Sequence, residues 1–130
     1  MYDCYMIVAE AFKNVEKDGQ VSGYQFGLRI PFFSGVVVSL VGRTELSVDG
    51  ETVPEEAMSI TLRGQTYPKT ALVNDPVTRW EFGETGIVTV FKPGGLSKGE
   101  HTIDVRQEVL IGWQTGGIFG HDTKKLRIEP

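Results

Sequence analysis

The chain has 130 residues, of which 40% are apolar and 23% are charged, and its formal net charge is −4. This composition is typical of one globular domain with a single hydrophobic core, so we expect residues 1–130 to form one domain. The acidic balance argues against a nucleic-acid partner, because phosphate binding needs clustered lysine and arginine. No apolar run reaches the roughly 18 residues that a membrane helix needs, so we expect no membrane partner.

The N-terminal segment predicts a cytoplasmic location. It lacks the basic stretch followed by a long apolar stretch that marks a secretory signal. The lone cysteine, Cys4, cannot form an internal disulfide, which suits a reducing compartment.

Alternating apolar and polar residues predict β-strands along most of the chain. In chain order we expect strands at Ile7–Phe12, Gly23–Ile30, Val36–Val41, Glu45–Val48, Ser59–Leu62, Arg79–Phe82, Ile87–Phe91, Thr102–Ile111 and Lys124–Ile128. Short helical turns are expected only at Pro54–Met58 and Pro68–Asn74, where proline suits a first helical turn. The Asp18-Gly19 and Asp49-Gly50 pairs predict tight hairpins. Together these features predict an all-β fold, an antiparallel β-sandwich of jelly-roll or immunoglobulin-like type.

Two of these strands carry further predictions about burial. Val36–Val41 is nearly all apolar, so we expect a second layer or a partner to cover the face that does not meet the core. In Thr102–Ile111 the polar residues, among them Glu108, should face away from the core. The residues expected on its buried face are Ile103, Val105, Val109 and Ile111.

The two histidines, His101 and His121, are the residues that a metal site would require. They could meet across a hairpin, but neither lies in an H-x-H or H-E-x-x-H spacing, and a zinc site commonly takes three protein ligands. Two histidines in surface turns are more often solvated, so we expect no metal and no cofactor in this chain.

Trp80, Glu81 and Phe82 combine aromatic and acidic side chains, as many sugar sites do. Strand alternation places Trp80 and Phe82 on one face and Glu81 on the other, which favours two core aromatics and an outward acid.

Aromatic and apolar residues also lie in loops, where they tend to mark contact surfaces. Phe32 and Phe33 are adjacent and cannot both face one core, while a glycine-rich segment carries Trp113, Ile118 and Phe119. The alternative is that these side chains fold back and cover the end of the sandwich.

Three segments resemble the small β subunit of bacterial C-glycoside deglycosidases. They are GYQFGLRIPFF (Gly23–Phe33), RWEFGE (Arg79–Glu84) and KPGGLSKGEH (Lys92–His101). The resemblance extends from about Val8 to Ile111, and these segments are a family signature with no catalytic residue known among them.

The resemblance implies an accessory subunit of a carbon–carbon lyase that is built from two different subunits. Its α subunit would be a (β/α) barrel that holds a divalent metal, Mn or Mg, and carries the catalytic residues. The complex would cleave a 3-oxo C-glycoside between the sugar and an aromatic, flavonoid-type aglycone by elimination. This chain would then form a hetero-oligomer, and we expect no catalytic residue in it.

On this reading, six residues are expected at the intersubunit or substrate-entrance surface. They are Phe32, Phe33, Trp113, Ile118, Phe119 and His121. One alternative is a non-catalytic carbohydrate-binding β-sandwich module that stacks sugars on Trp80, Trp113 and Tyr67. Another is a stand-alone lyase in which His101 and His121 hold a metal.

Overall fold

The alternation of apolar and polar residues produces β-strands that pack as layers around one core. The computed structural model describes residues 6–32, 35–110 and 118–129. The strands are β1 (Ile7–Lys17), β2 (Gln20–Leu28), β3 (Val36–Val37), β4 (Val41–Val48), β5 (Glu51–Val53), β6 (Met58–Leu62), β7 (Gln65–Pro68), β8 (Arg79–Trp80), β9 (Gly86–Phe91), β10 (Gly99–Val109) and β11 (Ile118–Ile128).

The strands form a sandwich of two antiparallel sheets, which confirms the expected all-β fold. One sheet has the order β1-β2-β9-β6-β7, the other has the order β11-β10-β4-β5, and β3 pairs with β8 in a small ribbon. Their inward side chains share one hydrophobic cluster. The two expected helical segments are 3₁₀ turns, Glu55–Ala57 and Lys69–Asn74. In the described part of the chain, no helix is long and apolar enough to cross a membrane.

Tight turns connect the hairpins where the sequence predicts them. Asp18 and Gly19 have φ of 53° and 79°, and Asp49 and Gly50 have φ of 53° and 84°, the left-handed values that such turns require. The same conformation at Arg63–Gly64 joins β6 to β7, a strand absent from the prediction.

The first and last long strands are connected although they are edges of different sheets. The Ile7 amide donates a hydrogen bond to Asp122 Oδ2 at 2.9 Å, and Lys124 Nζ donates to the same oxygen at 2.6 Å. Close by, the Pro31 ring packs on the backbone of Gly120, where an added Cβ would lie 2.2 Å from Pro31 Cβ. Only glycine fits at this position.

The strand expected at Val36–Val41 is interrupted by a 3₁₀ turn at Val38–Leu40. The Val38 amide donates to Thr78 O and the Ser39 amide donates to Asp75 O, so the chain turns toward this loop before β4 begins. Its valines are covered mainly by the chain itself, whereas Leu40 is 36% exposed.

The prediction that Trp80 and Phe82 share one face of a strand is wrong, because β8 ends at Trp80. Trp80 is fully buried and its Nε1 donates to Glu84 O at 2.9 Å, whereas Phe82 is 45% exposed. The Glu84 amide donates to Glu81 O, which closes a turn that carries Phe82 outward. A buried Trp80 is not available for stacking against a sugar, so that part of the carbohydrate-module alternative is also wrong.

The outward position expected for Glu108 is likewise wrong. Ile103, Val105 and Val109 are buried as predicted, but the pairing of β10 with β4 shifts register between Gln107 and Val109. This bulge places Glu108 against the sheet, where its Oε1 accepts a hydrogen bond from the Arg43 amide at 3.0 Å.

Side chains complete the hydrogen bonding of β4 where β5 is too short to do so. β5 pairs only with Leu46–Val48. Nearer the start of β4, the Thr44 amide donates to Glu55 Oε2 at 2.8 Å, and the Gly42 carbonyl accepts from Lys69 Nζ at 2.9 Å. Lys69 Nζ also lies 2.7 Å from Glu55 Oε2. Burial opposes ionisation of Glu55, but the bonds from Lys69 and Thr44 outweigh it and lower the pKa of this carboxyl.

We expect Lys69→Met to lower the free energy of unfolding by about 2–3 kcal/mol, since it removes the cation paired with Glu55 and the shorter of the two hydrogen bonds to the Gly42 carbonyl. The loss should fall below that of a fully buried pair because Glu55 is 31% exposed. Urea denaturation would measure the change, with Lys125→Met on the exposed face of β11 as the matched control. Equal effects of the two variants would contradict this role for Lys69.

Candidate functional site

Two of the three segments that carry the family resemblance meet at one end of the sandwich. Gly23–Phe33 supplies Tyr24 from β2, and Lys92–His101 forms the loop after β9 and the start of β10. Between these segments and the β4–β5 turn lies an open cavity of about 380 Å³. This volume lies in the range of small-molecule sites.

The cavity combines apolar walls with converging polar groups. The apolar side chains come from both sheets and include Val48, Val53, Val90 and Leu96. The ionisable and hydroxyl side chains are those of Tyr24, Asp49, Glu51, Thr52, Lys92, Ser97 and His101. Such a mixture of apolar surface and a few placed polar groups is typical of a binding site.

A charged pair forms one wall of the cavity. His101 is 7% exposed, with Nδ1 2.6 Å from Asp49 Oδ2 and Nε2 2.7 Å from Ser97 O. A carboxylate and a carbonyl can only accept, so both ring nitrogens must carry protons for both bonds to form. Burial opposes this charge, but the bonds to Ser97 and Asp49 outweigh it and raise the pKa of His101. Hydrogen bonds from His101 and from the Thr102 amide lower the pKa of Asp49.

Tyr24 forms a second wall. It is 1% exposed, and its hydroxyl has no hydrogen-bond partner among the described residues. Burial, and then the charges of Glu51 and Asp49, raise the pKa of Tyr24 to about 12. The phenol therefore stays protonated and keeps an O–H group free to donate.

The Pro-Gly-Gly loop is a rigid part of this wall. Asn14 Nδ2 donates to Leu96 O and the Leu96 amide donates to Asn14 Oδ1, both at 2.9 Å. Gly95 has a φ of 64°, and an added Cβ there would lie 2.5 Å from Asn14 Oδ1. The loop leads into strand β10 a few residues later.

The opposite end of the sandwich brings together two of the sequence-predicted surface residues. Phe32 follows Pro31, which packs on Gly120, so it lies beside the start of β11 and packs partly on the core. Phe119 is half-buried on the outer face, with the guanidinium carbons of Arg43 and Arg106 5.4 and 4.9 Å from its ring centroid. Both distances suit a cation–π contact.

Of three further predicted surface residues, the structure describes only the backbone of one, Ile118. Phe33 and Trp113 lie outside the described residues, as does the Ile111 that we expected on the buried face of β10. Ile118 opens β11 and its backbone pairs with Val109. The assignment of these residues to a contact surface stays a prediction.

The two histidines do not meet. His101 pairs with Leu126 across β10 and β11, whereas His121 pairs with Arg106 five positions away. His101 is buried between the sheets, while His121 is exposed with its Nε2 2.9 Å from Asp104 Oδ2. The suggestion that they share a metal is therefore wrong. Within residues 6–32, 35–110 and 118–129, no three His, Cys, Asp or Glu side chains are placed to hold a metal ion.

Sequence comparison decides the family. The sequence model of the C-glycoside deglycosidase beta subunit family matches residues 2–113. This chain belongs to that family. A C-glycoside deglycosidase beta subunit from Eubacterium cellulosolvens is 28% identical over 99 residues, which cover 75% of this chain and 67% of the relative. The matched region contains all of the cavity walls and ends before β11, so Phe119 and His121 lie outside it.

Sequence reasoning did not find the cavity. In the sequence, Tyr24 resembles any other aromatic residue of a strand. Asp49 is recognisable only as a turn residue, which it also is in the structure. One feature of the sequence does point to the cavity: two of the segments that carry the resemblance contribute residues to it. Their proximity depends on the pairing of β2 with β9, which the sequence does not specify.

We expect the His101–Asp49 pair to make stability depend on pH. The His101 pKa is raised on folding, so its contribution is complete below the unfolded value near 6.5 and is lost as pH rises through the folded value. The Asp49 pKa is lowered, so its contribution is present above 3.8 and is lost as pH falls through the folded value. The pair should therefore contribute most between these two limits.

His101→Gln should remove the alkaline part of this dependence, measured as the free energy of unfolding at pH 6 and pH 9. The loss of stability between pH 6 and pH 9 that this substitution removes should stay below about 1 kcal/mol, because the Asp49 carboxylate is about half exposed to solvent. His121→Gln changes the other, exposed histidine pair and serves as the control. An unchanged alkaline slope in His101→Gln would contradict the assignment.

Proposed function

We propose that this chain works in the cytoplasm as the beta subunit of a C-glycoside deglycosidase with two different subunits. The complex would be a lyase that cleaves the carbon–carbon bond between a 3-oxo sugar and an aromatic, flavonoid-type aglycone. The observation that carries the proposal is the family match over residues 2–113. The name of the Eubacterium cellulosolvens relative supports it.

The reaction begins with a sugar already oxidised at C3, because the ketone acidifies the proton at C2. A base removes that proton, and the resulting electron pair forms the C1–C2 double bond while the C1–aryl bond breaks. The bond electrons pass to the aglycone carbon, which takes up a proton.

In this proposal, the chemistry belongs to an alpha subunit with a (β/α) barrel that holds Mn or Mg. In the beta subunit both imidazoles already contact aspartates, His101 with Asp49 and His121 with Asp104. These contacts support a structural use of the two histidines. The beta subunit would steady the alpha subunit around its substrate entrance.

We further propose that the alpha subunit docks on the end of the sandwich that carries Phe32 and Phe119. Leu40 and Leu110 add exposed apolar surface at this end, 36% and 38% exposed, and the Leu110 amide donates to Leu40 O at 2.8 Å. We name these four residues the apolar end. His121 lies on the adjoining strand face, and the proposal extends to Phe33, Trp113 and Ile118 by their position in sequence. Apolar anchors with a polar rim are typical of subunit interfaces.

The proposed function is tested by turnover of 3-oxo-puerarin, a 3-oxo C-glycoside. The assay compares this chain alone, a barrel subunit encoded beside it alone, and the two co-purified. We expect aglycone release only from the co-purified pair, since the base and the metal belong to one subunit and its support to the other. Turnover by this chain alone, or failure of the two chains to associate, would overturn the proposal.

The docking proposal is tested by Leu110→Asp and Phe119→Ala in the co-expressed complex. Each should weaken association about fivefold or more, because interface anchors of this kind are worth more than about 1 kcal/mol. Phe91→Ala, which removes an exposed aromatic at the cavity end, is the matched control. Measured by co-purification and sedimentation, association that survives both test variants would place the interface elsewhere.

A further inference from the structure

We propose that the cavity between Tyr24 and His101 binds a monosaccharide, or the sugar of a glycoside, through its hydroxyl groups. This inference goes beyond the proposed function, because every group involved belongs to this chain and none to the alpha subunit. No residue of the apolar end contributes to the cavity.

The first argument is the set of polar groups that line the cavity. Tyr24 is buried and no hydrogen bond to a described residue occupies its hydroxyl, whereas the Glu51 carboxylate and the Lys92 ammonium are exposed to solvent, and all three line the cavity. Two can donate and two can accept. A polyhydroxylated ring both donates and accepts at each hydroxyl, so it is complementary to this mixture.

The second argument is charge. The cavity has two carboxylates, Asp49 and Glu51, and two cations, Lys92 and the doubly protonated His101. These four charges sum to zero. An anion would meet the carboxylates and a cation would meet Lys92 and His101, so the balance favours a neutral, polar ligand.

The third argument is shape. A volume of about 380 Å³ is at the small end of ligand cavities and suits a single ring better than an extended polyphenol. Val48, Val53 and Leu96 supply apolar wall on which the C–H faces of a pyranose can pack. Phe91, which is 67% exposed, stands at the rim.

The fourth argument is rigidity. Asp49 is fixed by His101 and by the Thr102 amide, which donates to Asp49 Oδ1 at 2.8 Å. Leu96 is fixed by the two hydrogen bonds to Asn14. A ligand that enters the cavity therefore meets walls that need little ordering, which favours binding of a small molecule.

The test is a titration of the ¹⁵N-labelled full chain with D-glucose, followed by amide chemical shifts. We expect saturable shifts in residues 49–53 and 92–101, with a dissociation constant on the order of 1 mM for a ligand of this size. Tyr24→Phe should weaken binding about fivefold to tenfold, because it removes one donor. Its thermal unfolding should not change, since the hydroxyl makes no hydrogen bond within the described protein.

Tyr67→Phe is the matched control, because Tyr67 is a partly buried tyrosine of β7 outside the cavity. Glucose binding should be unchanged in this variant, and inorganic phosphate and phenol should bind more weakly than glucose. Absence of saturable shifts, equal binding by wild type and Tyr24→Phe, or tighter binding of phosphate or phenol would each overturn the inference. None of these outcomes bears on association with an alpha subunit, so failure here is distinguishable from failure of the proposed function.

Discussion

The architecture depends on how β4 is held on the side where no strand covers it. β5 is three residues long, so the Thr44 amide and the Gly42 carbonyl extend beyond its reach. Glu55 and Lys69, from two separate 3₁₀ turns, satisfy these groups with side chains and pair with each other. A buried backbone group without a partner costs about as much free energy as a lost hydrogen bond. These side-chain hydrogen bonds therefore hold the two turns against the sheet.

The central strand β10 then separates two surfaces with different chemistry. His101 lies near its start beside the cavity, and Val109 lies at its end beside the apolar end. The distance between them is roughly 27 Å for an extended strand of this length. The cavity wall is polar and charge-balanced, whereas the apolar end presents leucine and phenylalanine. The same short domain can therefore offer one surface to a small polar molecule and another to a protein.

Sequence reasoning predicted the layers, the hairpins at Asp18-Gly19 and Asp49-Gly50, and short helical turns at Pro54 and Pro68, because period-two patterning and turn chemistry are local properties. The structure has these helical turns as 3₁₀ turns. It failed where a distant segment decides the outcome. Phe82 is exposed because the Glu81–Glu84 turn ends β8, and Glu108 is buried because β10 bulges against β4. The 3₁₀ turn after Val37 depends on the loop at Asp75–Thr78.

The site was less predictable than the fold for the same reason. Tyr24 and His101 are separated by most of the chain, and only the strand order β1-β2-β9-β6-β7 brings the β2 and β9 segments side by side. The resemblance named two segments that line the cavity but did not indicate that they meet. His101 does not meet His121, and its partnership with Asp49, 52 residues away, is not visible in the spacing.

The contact between β1 and β11 has a consequence for how the protein avoids unwanted assembly. Each sheet has two edges, and an exposed long edge is a template for pairing with another copy. The two eleven-residue edge strands are on the same side, where the Ile7–Asp122 hydrogen bond and the Pro31–Gly120 contact hold them against each other. The edges on the other side, β5 and β7, have only three and four residues. The long edges thus cover each other where Ile7 meets Asp122, and the free edges offer a neighbour only short strands to pair with.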